Sequence, residues 1–208
     1  MKFVFISDTH GMHDLVELPK GDVLIHSGDV SQKGTEREIK DFLKWFSKQD
    51  YQYKIFIAGN HDFFFEKKLP EEIKPLIPDN VIYLDDSGTE INGLKIWGSP
   101  IQPWFYDWAF QRQKGEDIQK HWDLIPDDTD ILVVHGPAYG VLDSTVFDEK
   151  VGCKQLLNKI EEVKPKVFIS GHIHEGYGMV EQNGIKFINA SLLDKHYFYK
   201  NQPVVLEF

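Results

Sequence analysis

The stretch Val23 to Asp62, VLIHSGDVSQKGTEREIKDFLKWFSKQDYQYKIFIAGNHD, holds a buried-strand signal, a helix signal and a second buried-strand signal in succession. Val23-Leu24-Ile25 and Ile55-Phe56-Ile57 are short continuous apolar runs, the pattern of strands covered on both faces. Between them Ile39, Phe42, Leu43 and Phe46 recur at helical spacing within Thr35 to Lys48, and Thr35 with Glu38 offers a capping box. Strand, amphipathic helix and strand in this order form the repeating unit of layered α/β folds. Both strands also stop abruptly, one at Ser27-Gly28-Asp29 and the other at Ala58-Gly59-Asn60-His61-Asp62, with polar groups that a core would not choose.

The same pattern continues outward. Phe3 to Ile6, Val81 to Leu84, Ile131 to Val134, Val167 to Ile169 and Val204 to Leu206 are further apolar runs. Cys153 to Val163 reads as a second amphipathic helix closed by Pro165. Glu90 to Ile96 and Gln182 to Lys186 each contain Asn-Gly and read as hairpins, so antiparallel pairing is expected beside the parallel unit and the sheets should be mixed. No repeat, low-complexity tract or linker divides the chain, and residues 1–208 are expected to form a single domain.

Composition narrows the class. Of 208 residues 41% are hydrophobic and 27% charged, as in ordinary globular proteins. Lys and Arg number 23 against 33 Asp and Glu, a net charge of −10 with no basic patch, which argues against long nucleic acid and anionic membranes as partners. The single Cys153 excludes an intramolecular disulfide and a thiolate metal cluster. With strand-like sequence from Lys2 and no apolar run near the ~18 residues of a membrane span, the expected location is cytoplasmic.

Five strand ends carry Asp, Asn or His: Ser7-Asp8-Thr9-His10, Ser27-Gly28-Asp29, Gly59-Asn60-His61-Asp62, His135-Gly136-Pro137 and Ser170-Gly171-His172-Ile173-His174. Ligands of layered α/β domains sit beyond the carboxyl ends of strands, so these ends are expected to converge. Extended backbone would put Asp8 with His10, and His172 with His174, on one face each. Glycines 28, 59, 136 and 171 are expected to let the chain turn sharply beside them. Oxygen and imidazole donors without sulfur suit divalent Mn, Fe, Zn, Co or Ni, and there are enough donors for two ions. Turn and capping preferences explain Asp and Asn at such positions but not histidines at 135, 172 and 174.

Asp-x-His, Gly-Asp, Gly-Asn-His-Asp, a later His-Gly and Gly-His-x-His stand here in order, and the sequence from Phe3 to about Tyr177 thereby resembles the calcineurin-like metallophosphoesterase superfamily. Ile101 to Phe110, His135 to Asp143, Val151 to Cys153 and Gly171 to Gly178 resemble more narrowly its small MPPED-like (UPF0046) group. The resemblance implies a four-layer αββα sandwich with a dinuclear site at one edge. It further implies that Asp8, His10 and His174 hold one metal, Asn60, His135 and His172 the other, and Asp29 bridges. His61 would sit beside the phosphate without binding metal, and Asp62 would orient its ring and raise its basicity.

The activity expected is attack on phosphorus by a hydroxide shared between two divalent cations, Mn2+ first among them, with His61 protonating the leaving oxygen. The resemblance favours a broad phosphodiesterase acting on small phosphodiesters such as cyclic nucleotides. The competing readings are a phosphomonoesterase or phosphoprotein phosphatase, and a non-catalytic scaffold of the same fold. The other histidines, His13, His26, His121 and His196, read as structural, His26 as a core imidazole, with the cleft as the alternative place for His13 and His196. Most of Trp104, Phe105, Tyr106, Trp108 and Phe110 are expected to pack their loop onto the sheet, leaving one or two for a substrate.

Overall fold

A computed structural model describes residues 1–208. Along the first half run β1 (Lys2–Ile6), β2 (Val23–His26), α1 (Glu36–Ser47), β3 (Tyr53–Phe56), α2 (Phe63–Lys67), α3 (Pro70–Ile73), β4 (Ile82–Tyr83), β5 (Ser87–Ile91) and β6 (Leu94–Ser99). The rest comprises β7 (Gln102–Pro103), β8 (Gln111–Arg112), α4 (Glu116–Trp122), β9 (Ile131–Val134), α5 (Lys154–Val163), β10 (Val167–Ser170), β11 (Gly178–Gln182), β12 (Ile185–Asn189) and β13 (Val204–Glu207). Thr35 caps α1 in the full capping box expected of it, Glu38 reaching back to the Thr35 amide.

Two mixed sheets result. One has the order β13-β1-β2-β3-β4, parallel except for β13. The other has the order β11-β12-β10-β9-β6-β5, with four parallel central strands and an antiparallel hairpin at each edge. Both hairpins turn on Asn-Gly, with φ of 49° and 81° at Asn92-Gly93 and 53° and 78° at Asn183-Gly184, the left-handed pair that a tight primed turn demands.

Strand alternation divides the core into layers. Phe3, Phe5, Val23, Ile25 and Ile55 point inward and meet Ile131, Val133, Val167 and Ile169 of the second sheet. The intervening Val4, Ile6, Leu24 and Phe56 turn outward, where Phe42 and Phe46 of α1 cover them. Leu132, Val134 and Phe168 do the same on the far side, beneath Ile118 and Trp122 of α4 and Leu156 and Ile160 of α5. The fold is therefore helix, sheet, sheet, helix, as expected. Each fully buried side chain of this size contributes about 1.5–3 kcal/mol.

The two sheets are tied together at the carboxyl ends of β1, β2, β9, β10 and β12. Ser27 Oγ donates to Ser170 O (3.3 Å), the Leu192 amide to Ser7 O (3.0 Å) and His135 Nδ1 to Ser27 O (2.9 Å). No helix is long and apolar enough to cross a membrane.

Candidate metal centre

All seven candidate ligands lie where those strand ends meet. Asp8, His10 and His174 form one group whose donor atoms lie within 4.8 Å of one another; Asp29, His135 and His172 form a second, and His10, Asp29 and His61 a third. Asp29 belongs to both halves: its Oδ2 is 3.7 Å from His10 Nε2 and 3.3 Å from His135 Nε2, the position of a bridging carboxylate. Asn60 Oδ1 stands 3.0 Å from the same His135 nitrogen, which places Asn60 with the His135 half.

The backbone delivers these groups in a way strand geometry does not. β1 ends at Ile6 and β10 at Ser170, so the pairs Asp8/His10 and His172/His174 lie beyond the pleat and the expected shared strand face does not exist. Instead Asp8, His10, Asp29 and His172 each take the left-handed conformation, with φ of 54°, 44°, 55° and 67°, and His174 opens a short 3-10 turn. Such backbone costs of order 1–3 kcal/mol per residue and persists where the surroundings impose it, most often at functional sites.

The glycines also act differently from the expectation. Only Gly28, at φ 105°, needs a conformation closed to other residues. Gly59 and Gly171 are required by proximity: a Cβ on Gly59 would lie 2.3 Å from Asp29 Oδ1, and one on Gly171 would lie 2.2 Å from Asp8 Oδ2.

Hydrogen bonds on the far side of each ligand aim it at the centre. His135 Nδ1 donates to Ser27 O (2.9 Å) and His174 Nδ1 to Asp194 O (2.9 Å), which turns both Nε2 atoms inward. Asp8 accepts from the His172 amide and from Ser191 Oγ (2.7 Å), and Asp29 Oδ1 accepts from the His61 amide (2.8 Å).

The electrostatics are those of a site built for cations. Burial opposes charge at His135 and His174, yet Asp29 beside the one and Asp8 beside the other lift them to about 9. At His10 and His172 burial prevails and pushes both down to about 4. Asp8 and Asp29 overcome burial through His174 and His135 respectively and remain well below the usual carboxylate range. Carboxylates, an amide oxygen and imidazoles aimed at common points within 5 Å fit a pair of divalent cations, and the protons on His135 and His174 occupy positions that metal would take.

His61 stands at the edge of this cluster. Its ring centroid is 4.5 Å from that of His10 and 4.5 Å from that of Trp108, the latter at 31°, so the imidazole is clamped against the indole. Asp62 does not orient it. The Asp62 carboxylate accepts from the amides of Val30 (3.1 Å), Ser31 (2.9 Å) and Gly59 (2.8 Å) and from Ser31 Oγ (2.6 Å), and its pKa rises to about 6 through burial and the charge of Asp29. His61 Nδ1 instead donates to Gln32 O (2.8 Å), so the expected role passes to a backbone carbonyl and Asp62 becomes the brace of the two turns carrying Asp29 and Asn60.

Other expectations also change. Of the five loop aromatics only Phe110 is buried; Trp104, Phe105, Tyr106 and Trp108 are exposed rather than packed on the sheet, with Trp104 and Phe105 beside His172 and Trp108 against His61. His13 lies away from the cleft, against Phe42 and Trp45 with its Nε2 3.5 Å from Asp41. His26 is the core imidazole expected, accepting from the Gly28 amide and donating to Thr9 Oγ1 (2.9 Å). Sequence reasoning missed Tyr197, whose left-handed turn (φ 62°) hangs on Asp194 and brings its ring within 4.9 Å of His10 and 5.1 Å of His174. Its neighbour His196 is exposed and lines a surface pocket that also includes His174.

Comparison with known proteins gives the family. The family model described as calcineurin-like phosphoesterase matches residues 1–176. A human protein titled metallophosphoesterase domain-containing protein 1 is 39% identical over 229 aligned residues, covering 99% of this chain and 70% of its own length. A UPF0046 protein of Caenorhabditis elegans is 35% identical over all of this chain and 60% of its own length. The solved phosphopantetheinyl hydrolase of Mycobacterium tuberculosis shares the fold with a TM-score of 0.65 at 14% identity, covering 94% of this chain and 90% of that one.

Proposed function

Because the chain belongs to the calcineurin-like phosphoesterase family, a family of metal-dependent phosphoester hydrolases with a dinuclear divalent site, we propose that it is a phosphodiesterase acting on small diesters such as cyclic nucleotides, with Mn2+ as its metal. The observation that carries the hydrolase reading is His61: it belongs to neither half of the ligand set carried over from the resemblance, and Gln32 O and Trp108 lock its ring beside His10.

In this reading Asp8, His10 and His174 hold one cation, Asn60, His135 and His172 hold the other, and Asp29 joins them. Two divalent ions bound there supply Lewis acidity towards phosphoryl oxygens and lower the pKa of water. The chain's own contribution is positional and protonic. Gln32 O fixes the proton on His61 Nδ1 and turns Nε2 towards the reacting phosphate, where the protonated ring donates to the departing oxygen. The departing ester oxygen leaves as an alkoxide and gains from this donation, typically 10²–10⁴ in rate. The exposed aromatic rings around the cleft suit a small organic ester group. A net charge of −10 without a basic track disfavours long nucleic acid, whose outlying phosphates would meet acidic surface.

The test is a turnover panel with the Mn2+-loaded protein. Bis-p-nitrophenyl phosphate and 2′,3′- or 3′,5′-cyclic nucleotides should exceed matched monoesters in kcat/KM. His61→Ala should keep its metal and lose most rate on substrates with high-pKa leaving groups. A strong preference for phosphomonoesters or phosphopeptides refutes the diesterase reading, and full metal loading without turnover of any ester favours a scaffold.

A further inference from the structure

A cavity of about 440 Å3 opens beside the centre on the His172 side, walled by Trp104, Phe105, Phe147, Gln102 and His172. It is continuous with the turns that carry the candidate ligands, since Gly136 and Pro137 follow His135 directly and Ile173 follows His172. None of His10, His61, Trp108 or Tyr197 lines it, so it is distinct from the His61 wall of the cleft.

Two features mark it as built for a ligand. Phe147, Phe105 and Trp104 are 81%, 58% and 48% exposed, a cluster of aromatic surface that a protein seldom leaves to water without a use. Gln102 is buried beside them at 1% exposure, and neither its Oε1 nor its Nε2 has a hydrogen-bond partner. A buried primary amide left unpaired is costly, and a ligand edge offering both a donor and an acceptor would satisfy it. The rim carries Lys114, Lys150 and Glu149, mixed charges that select shape more than sign.

Hydrolysis of a diester breaks the bond from phosphorus to one ester oxygen and forms a bond from phosphorus to a water oxygen, the leaving oxygen taking the proton held on His61. In-line displacement sets the leaving oxygen opposite the entering one, while the other ester oxygen stays on phosphorus to the side. The leaving arm therefore lies towards His61, and the retained arm needs a place of its own. We infer that the cavity lined by Trp104, Phe147 and Gln102 receives the retained arm of an acyclic diester and selects a planar, ring-bearing arm over a small alkyl one. This rests on the diesterase reading and adds the location and chemistry of the second arm.

Three esters with one leaving group test it: phenyl p-nitrophenyl phosphate, methyl p-nitrophenyl phosphate and p-nitrophenyl phosphate, assayed with the Mn2+-loaded wild type, Phe147→Ala and Trp104→Ala. The wild type should prefer the phenyl over the methyl diester at least tenfold in kcat/KM, and each variant should cut that ratio at least threefold. Calorimetric binding of phenylphosphonate against methylphosphonate, neither of which can be hydrolysed, should show the same preference and the same loss. A wild-type ratio near one, or variants that keep the wild-type ratio in both experiments, overturns the subsite while leaving the diesterase reading intact. Turnover of p-nitrophenyl phosphate without turnover of either diester overturns the diesterase reading and the subsite with it.

Discussion

Replacing Asp62 by alanine separates the two roles open to this residue. Its carboxylate accepts four hydrogen bonds, from the amides of Val30, Ser31 and Gly59 and from Ser31 Oγ, and it is wholly buried. Asp62→Ala leaves these donors without a partner in the core, at about 1–3 kcal/mol for each that water cannot reach. Part of the loss is recovered because a carboxylate need no longer be buried, and the net cost expected is about 3–5 kcal/mol, as for removal of one partner from a buried charged interaction. That is a large share of the ~5–15 kcal/mol that holds a typical domain together. Urea unfolding of the metal-free protein, followed by tryptophan fluorescence, should show the midpoint falling by roughly 2 M at an m-value of about 2 kcal/mol/M. Metal content should fall as well, because Gly59 precedes Asn60 and Val30 follows Asp29. The reasoning fails if the variant unfolds within 0.5 M of wild type, a value roughly a quarter of the expected shift. A stable, metal-loaded Asp62→Ala that loses rate selectively on poor leaving groups would return Asp62 to the side of His61.

Metal uptake at pH 8 should release about two protons per chain, because His135 and His174 are held at about 9 by Asp29 and Asp8 and must lose their protons to coordinate. Affinity should therefore weaken as pH falls; calorimetry in buffers of different ionisation enthalpy measures the release, and a value near zero contradicts the assignment. Gly171→Ala places a Cβ 2.1 Å from Ser7 Oγ and 2.2 Å from Asp8 Oδ2. Overpacking of this kind costs about 1–3 kcal/mol, so both the melting temperature and the metal content should drop, and an unchanged pair of values would show that Asp8 can move without consequence.

The parts of the centre legible in the sequence are those where chemistry restricts residue type. Metal binding needs side-chain oxygen and imidazole, so Asp8, His10, Asp29, Asn60, His135, His172 and His174 stand out at the ends of apolar runs, and the layered fold follows from the runs themselves. What orients those ligands is largely backbone. Ser27 O, Gln32 O and Asp194 O fix the rings of His135, His61 and His174, and a carbonyl carries no sequence signal. Asp62 departs from the role the resemblance implies for a related reason. It adjoins His61 in the chain, but the turn after Gly59 sends the two side chains to different places, His61 out over the centre and Asp62 inward beneath the Asp29 turn. The left-handed backbone at His10 and His172 is equally silent, since even histidine, enriched there among non-glycine residues, adopts it only in a small minority of cases. Tyr197 lies past the last motif, on a turn built around Asp194, whose carbonyl also accepts from His174 Nδ1. The candidate ligands are thus written in residue type, whereas the walls beside them, Trp108 and Tyr197 on one side and Trp104 and Phe147 on another, are aromatic residues whose exposure only the packed chain reveals.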